Sequence, residues 1–272
     1  MFKPRFVQII ILIILLSPWL KVKADLIIGG DDANTSLIEI FAKHFEKNMN
    51  RGHVKLITTL GSKGGIAALN DRKIQIALVT RLLSPAEEAF NLTSVPYAKS
   101  CLAFVVNPKV PLADDSMTSE ALEQIYDGQK TTWSDKKTIQ VIFHPRGDSG
   151  SELLMIKFPN LKPLFEKAWT TSVWRTEIGD KKNLALIEKI NYSFGWVNQT
   201  ELAASKSPAR VLKFNGIMPE AALAESGKYP LVEVSTLVYK EPATQEVKDF
   251  IALVKSEYGA QILRQNEAVP IR

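Results

Sequence analysis

Apolar residues along this chain come in two rhythms, and the rhythms alternate. Leu26-Ile27-Ile28-Gly29-Gly30, Val54 to Leu60 and Ile74 to Thr80 are short apolar runs, which predicts three strands. Behind the first, the capping-type residues Asp31 to Ser36 precede Leu37, Ile38, Ile40, Phe41 and Phe45 at helical spacing, predicting a helix to Lys47. Gly61-Ser62-Lys63-Gly64-Gly65 leads from the second strand into a helix over Ile66 to Asp71, and Ser84-Pro85-Ala86-Glu87-Glu88 opens another after the third. Such alternation predicts an α/β fold with a parallel-type sheet.

The apolar run Cys101 to Val106 ends at Asn107-Pro108, a crossing point into a second lobe. There the pattern predicts a capped helix over Ser119 to Tyr126, a strand over Ile139 to Phe143 and a helix over Glu152 to Phe158. A helical stretch from Lys182 to Ile190 precedes the strand Phe194 to Val197, which could lead back. A short helix (Pro219 to Glu225), a β-branched strand (Val232 to Val238) and one amphipathic helix (Gln245 to Arg264) complete the chain before Ala268 to Ile271.

The chemistry collects at strand ends. His144-Pro145-Arg146-Gly147-Asp148-Ser149-Gly150-Ser151 joins a strand to a helix. A glycine-rich turn at a helix N-terminus points free N–H groups at one spot, where the helix dipole favours negative charge. Arg146 adds a planar fork suited to a carboxylate or phosphate. The expectation is an anion cradle. Ser62 and the pair Thr80-Arg81 lie at two further strand-to-helix turns, and ligands of open α/β sheets bind outside such strand ends.

Charge changes the picture only once it is located. The formal +5 includes Lys3, Arg5, Lys21 and Lys23, all within the first 24 residues, which hold no acid; without them 30 basic residues face 29 acidic ones. Nucleic acid is therefore not an expected partner. That segment has a charged start, the apolar run Phe6 to Leu20 and a Val22-x-Ala24 end, which predicts a signal peptide over 1–24 and export. The single cysteine, Cys101, sits in an apolar run and is expected to be a buried structural thiol. No Cys/His or carboxylate spacing suggests a metal, and no cofactor is expected. Gly147 to Ser151 also resembles the nucleophile segment of trypsin-like proteases. His44, His53 and His144 all lack the required context, so an enzyme is not expected.

Several motifs in order carry a family resemblance: Gly61-Ser62-x-Gly64-Gly65-Ile66; Ile76-Ala77-x-x-Thr80-Arg81-x-Leu83; Val105-Val106-Asn107-Pro108; Leu122-x-x-Ile125-Tyr126-x-Gly128 with Trp133-Ser134-Asp135; Arg146-x-x-Ser149-Gly150-Ser151; and Phe194-Gly195-Trp196-Val197. Together with Tyr258-Gly259-Ala260-Gln261-Ile262 and Val269-Pro270, they cover nearly all of the mature chain. The sequence resembles the periplasmic phosphate-binding proteins of ABC uptake systems, type II solute-binding proteins. The resemblance implies two α/β lobes, each with a mostly parallel sheet flanked by helices, joined by two hinge crossings. Lobe 1 would comprise 25–104 and 199–272, and lobe 2 would comprise 105–198. It also implies a periplasmic monomer that holds a small oxyanion, most simply phosphate, for a membrane ABC permease. The alternative is a binding-protein-like sensor or interaction module. Carried over by motif, Ser62, Thr80 and Arg81 bind from one lobe and Arg146, Ser149, Gly150 and Ser151 from the other, with Asp32 and Asn34 as lesser candidates. The pattern departs in four places, one being that Arg146 and Ser149 are only three apart where many relatives have a longer spacing, which implies a tighter loop. Ala33 stands where relatives usually have threonine, Gln75 stands where they usually have aspartate, and position 80 offers no carboxylate to accept a ligand proton. Unless Asp31 or Asp32 takes that role, phosphate, sulfate and phosphonate all remain open.

Overall fold

The computed structural model describes residues 25–49, 51–112 and 114–272. The signal segment expected at 1–24 lies outside them. The first lobe is built from β1 (Leu26–Gly30), α1 (Thr35–Lys47), β2 (Val54–Ile57), α2 (Gly61–Asn70), β3 (Ile76–Val79) and the short α3 (Pro85–Glu88). β4 (Leu92–Val106) then runs out of it. The second lobe follows with β5 (Ser116–Met117), α4 (Ser119–Tyr126), β6 (Gln140–Phe143), α5 (Ser149–Lys157), α6 (Leu161–Thr171), β7 (Arg175–Thr176), α7 (Asp180–Lys189) and β8 (Ser193–Asn198). After α8 (Gln199–Ser205), β9 (Arg210–Val211), β10 (Lys213–Phe214) and α9 (Ala221–Glu225), the strand β11 (Val232–Lys240) returns. It leads to α10 (Gln245–Lys255), α11 (Glu257–Gln265) and β12 (Val269–Pro270).

The strands follow the order β2-β1-β3-β11-β4-β8-β6-β7, with β12 and β9 also on β4. Ladders among each lobe's own strands are parallel, as β1 with β2 and β3, and β6 with β7 and β8. Every antiparallel ladder involves β4 or β11. Those two strands are the crossings, and they pair with each other from Leu92↔Lys240 to Cys101↔Val232, with a register shift at Ser235/Thr236. The bulge leaves Tyr97, next to Pro96, without an opposite residue; an extra residue of this kind bends a strand and increases its twist.

Each lobe has its own apolar core. Leu26, Ile28, Phe41, Phe45, Tyr97, Leu237 and Phe250 form the first, while Phe104, Phe143, Phe165, Phe194, Trp196 and Tyr229 dominate the second. The switch occurs on β4 between Ala98, in the first core, and Cys101, in the second. Leu212, Phe214, Ala224, Tyr229 and Leu231 also join the second core, so the return falls on β11 rather than at Gln199 as the sequence suggests. The strand Phe194 to Val197 does not lead back; as part of β8 it pairs with the far half of β4.

Two other differences have local causes. The expected single helix over Gln245 to Arg264 breaks at Ser256, whose hydroxyl accepts from Gly259 N at 3.0 Å and caps α11. A Cβ on Gly259 would lie 2.3 Å from Val254 O, so the two helices meet where only glycine fits. The strand expected from Cys101 begins nine residues sooner, at Leu92. Its first part is half-buried, and Thr93, Ser94, Lys99 and Ser100 interrupt the apolar run. Among the described residues no helix is long and apolar enough to cross a membrane.

Candidate functional site

The first jaw forms where β1 meets α2. A Cβ on Gly30 would lie 2.4 Å from Leu78 O, and one on Gly65 would lie 2.7 Å from Gly30 Cα. These glycines let the helix start close over the strand tip. Asp31 emerges there, almost fully buried, with Oδ1 accepting from Ala33 N at 3.0 Å and Oδ2 accepting from Ser62 Oγ at 2.9 Å. Ser62 Oγ also accepts a long bond from Thr80 N, at 3.4 Å. Burial, and then the Asp148 carboxylate across the cleft, hold the Asp31 carboxyl above its ordinary value despite the bonds that favour its charge. The side chain of Asp32 reaches over to Gly179 at the start of α7, where a Cβ would lie 2.5 Å from its Oδ2. Burial and the neighbouring Asp31 push Asp32 up to about 8.

The second jaw is the start of α5. Asp148 is its N-cap, and its Oδ2 accepts from Ser151 N at 2.6 Å and from Ser151 Oγ at 2.8 Å. Its Oδ1 faces His144 Nδ1 at 3.2 Å, with Asp180 Oδ1 3.7 Å from the same nitrogen. His144 is fully buried, stacks on Trp196 with centroids 4.8 Å apart, and its Nε2 lies 2.9 Å from Trp196 O. Burial alone would depress this imidazole, but Asp148 and Asp180 outweigh burial and raise it to about 10. His144 Nδ1 is thus shared by Asp148 and Asp180, and the Asn183 side-chain amide nitrogen also lies 3.0 Å from it. His144, Asp148 and Asp180 offer donor atoms within 4.8 Å of one another, and the two aspartates lie 3.2 Å and 3.7 Å from His144 Nδ1.

Between the jaws lies a cleft of about 530 Å³, lined by Asp31, Asp32, Gly61, Lys63, Asp148 and Gly179 among others. The structure brings Ser62 and Thr80 together in one jaw and Ser149, Gly150 and Ser151 in the other, but the hydroxyls of Ser62 and Ser151 are already bonded to aspartates. Gly150 is needed for close packing, since a Cβ there would lie 2.9 Å from Trp196 Nε1. The buried polar atoms without a hydrogen-bond partner among the described residues include Thr80 Oγ1 beside Asp31, Trp196 Nε1 against Gly150, and Glu233 Oε1 on β11.

The two arginines differ from expectation. Arg146 lines the cleft, but its guanidinium turns away to Glu166 at 2.5 Å and stacks over Trp169 at 5.0 Å, leaving it more exposed than buried. Arg81 makes two bonds of 2.8 Å to Glu87, and its Nε lies 3.9 Å from Glu152 of the other lobe. Arg81 is therefore engaged in an ion pair at the cleft edge. Asn34 is not in the cradle either; it donates to Ser235 Oγ at 2.7 Å and accepts from Thr200 Oγ1, tying the first lobe to the return crossing and α8.

Sequence reasoning missed Asp148, Asp180 and Glu233, and weighed His144 only as a protease base. The four-residue spacing of His144 and Asp148 was a usable signal. Asp180 joins them only through the tertiary fold.

The profile described as the PBP superfamily domain matches residues 17–257. Among curated relatives, the phosphate-binding protein PstS of Borreliella burgdorferi is 23% identical over 255 residues, covering 90% of this chain and 89% of its own. Among solved structures, a phosphate ABC transporter substrate-binding protein from Clostridium perfringens, described as putative and with phosphate bound, superposes with a TM-score of 0.76 at 18% identity, covering 92% of this chain and all of that one. An ABC-type phosphate transport receptor from Vibrio cholerae superposes with a TM-score of 0.61 at 19% identity, over 90% of this chain and 99% of that one.

Proposed function

Because this chain belongs to the PBP superfamily, we propose that it is an exported solute-binding protein that closes its two lobes around inorganic phosphate. It works as a monomer, performs no covalent chemistry and hands the anion to an ABC-type permease in the membrane. The names of its relatives support phosphate as the ligand.

The observation that carries the reading is the Asp31 carboxyl, buried in the first jaw with the Ser62 and Thr80 hydroxyls beside it and the Asp148 end of α5 opposite. An oxyanion between two helix starts is stabilised by their N–H groups and dipoles. A carboxylate inside the site favours an anion that still carries a proton, because it accepts that proton and repels an oxyanion that lacks one. Hydrogen phosphate meets the requirement at neutral pH, whereas sulfate does not. Asp31 supplies from the first turn the acceptor that position 80 lacks. Ser62 and Ser151 turn their hydroxyls from the aspartates to the anion when it enters, and Ser149 and the α5 amides complete the second jaw.

Calorimetric titration of the mature protein with phosphate, sulfate and a phosphonate tests this directly. Phosphate is expected to bind with sulfate far weaker; no heat from any of the three at millimolar concentration would sink the reading.

A further inference from the structure

On β11, Glu233 is buried while its neighbour Val234 is left half-exposed, the reverse of the usual arrangement on a strand. The strand belongs to the crossing ribbon, and the Glu233 carboxyl lies near Asp31 of the first jaw and Asp148 and Ser149 of the second. Its Oε2 accepts from Asn198 Nδ2 at 2.7 Å, and the same amide donates to Ser100 Oγ at 2.8 Å. Its Oε1 is buried and has no partner among the described residues. The titratable groups that face it are Asp31 of the first jaw and Asp148 of the second; the Ser149 hydroxyl is close enough to favour the ionised form, without a hydrogen bond to Oε1, and among the described residues Asn198 is its one bonded neighbour. A buried carboxylate with one free oxygen and two carboxyl neighbours is unfavourable as an ion. With Oε2 already accepting, the proton belongs on Oε1, which then becomes a donor lacking an acceptor.

We propose that Glu233 is a third contact of the oxyanion site, a neutral carboxylic acid on the crossing ribbon that donates a hydrogen bond from Oε1 to the bound anion. Asp31 and Glu233 then do opposite work: one accepts the proton that the ligand carries, and the other donates to an oxygen that has none. Burial, then Asp31, raise Glu233 to about 8, so the acid form is the one present at neutral pH. The inference rests on the phosphate reading above.

The test is calorimetric titration with inorganic phosphate from pH 6 to pH 9, on the wild-type chain, Glu233→Gln and Glu233→Ala. Glutamine places an N–H donor where the acid had its proton and does not titrate, so Glu233→Gln is expected to bind within a few-fold of wild type at pH 6. Wild type should then lose affinity relative to Glu233→Gln by about tenfold or more as the acid ionises towards pH 9. The second ionisation of phosphate is common to both proteins and drops out of the ratio. Glu233→Ala should bind at least tenfold more weakly than wild type at pH 6. A wild-type to Gln ratio that stays constant across the range overturns the proposal, as does a loss in Glu233→Gln at pH 6 equal to that in Glu233→Ala. Should the alanine variant fail to fold, the pH dependence of the Gln ratio decides alone. Wild type that binds no phosphate at any pH overturns the parent reading instead, so the two failures are distinguishable.

Discussion

At the scale of single residues, the proposed site rests on buried acids rather than on the arginines its sequence advertises. Asp31→Asn keeps the size of the side chain but can donate to a proton-free oxyanion. It is expected to shrink the preference for phosphate over sulfate by roughly two orders of magnitude, read as the ratio of dissociation constants. Arg146→Ala, by contrast, removes an exposed ion pair and should weaken phosphate binding by less than about tenfold in the same titrations. The motif Arg146-x-x-Ser149-Gly150-Ser151 falls at the start of α5, beside the cleft. Motif spacing cannot say which way a long side chain turns, and here Glu166 and Trp169 draw the guanidinium outward. Asp31 was named in the sequence only as a possible proton acceptor, because its burial depends on β3 and α2 closing over it. Glu233 sits in a run that reads simply as a β-branched strand.

At the scale of elements, a side-chain cap opens six of the eleven helices among the described residues, and the one at Ser84 was legible. Ser84-Pro85-Ala86-Glu87 forms the capping box its sequence suggests, with Glu87 Oε2 accepting from Ser84 N at 2.7 Å. The same carboxylate pairs with Arg81, and that contact holds Glu87 well below the usual range, at about 2. Glu87→Ala removes the box and leaves Arg81 without its partner. The expected cost is about 2–3 kcal/mol, seen as a fall in melting temperature of roughly 4–12 °C. Helices α6 and α8 went unread. Pro163 falls in the first turn of α6, where proline is tolerated, and α8 is only seven residues long with its start capped by Asn198. The break between α10 and α11 was equally hidden, since Ser256 in an amphipathic run looks like one more polar-face residue.

At the scale of the molecule, titration sums over both lobes, and the raised groups act against the lowered ones. Asp32 and Glu233 are raised from ordinary values of 3.8 and 4.5 to about 8, and His144 from 6.5 to about 10. Above pH 4 the unfolded chain releases protons that the folded one keeps, so these groups contribute less stability as pH climbs towards 8, and His144 continues the decline to 10. Asp148 and Glu87 are lowered, so their contribution is present above their ordinary values and is lost as pH falls through the folded ones. Thermal melts without phosphate, taken from pH 3 to pH 9, are expected to peak at roughly pH 4 to 5, below the pI near 9.1. Two lobes were legible from the order of motifs, and the alternation of strands and helices from periodicity. The position of the return crossing was not, because residues 206–231 carry no local sign of which core they fill.

The crossing itself has a consequence of a different kind. β4 and β11 are not linkers but a hydrogen-bonded ribbon nine residues long on the β11 side, flanked by β3, β8 and β12 and bent once at the bulge beside Tyr97. Amides in the middle of a sheet exchange with solvent only when the sheet opens. In a deuterium time course, the backbone N–H groups of the ribbon are therefore expected to be among the last to exchange, well after those of the cleft-lining turns at 59–64 and 145–148. The part of the molecule that must twist whenever the lobes move would then be the part that hardly ever breathes. Opening would be an elastic deformation of intact ladder bonds, and it would leave no trace in the amides that permit it.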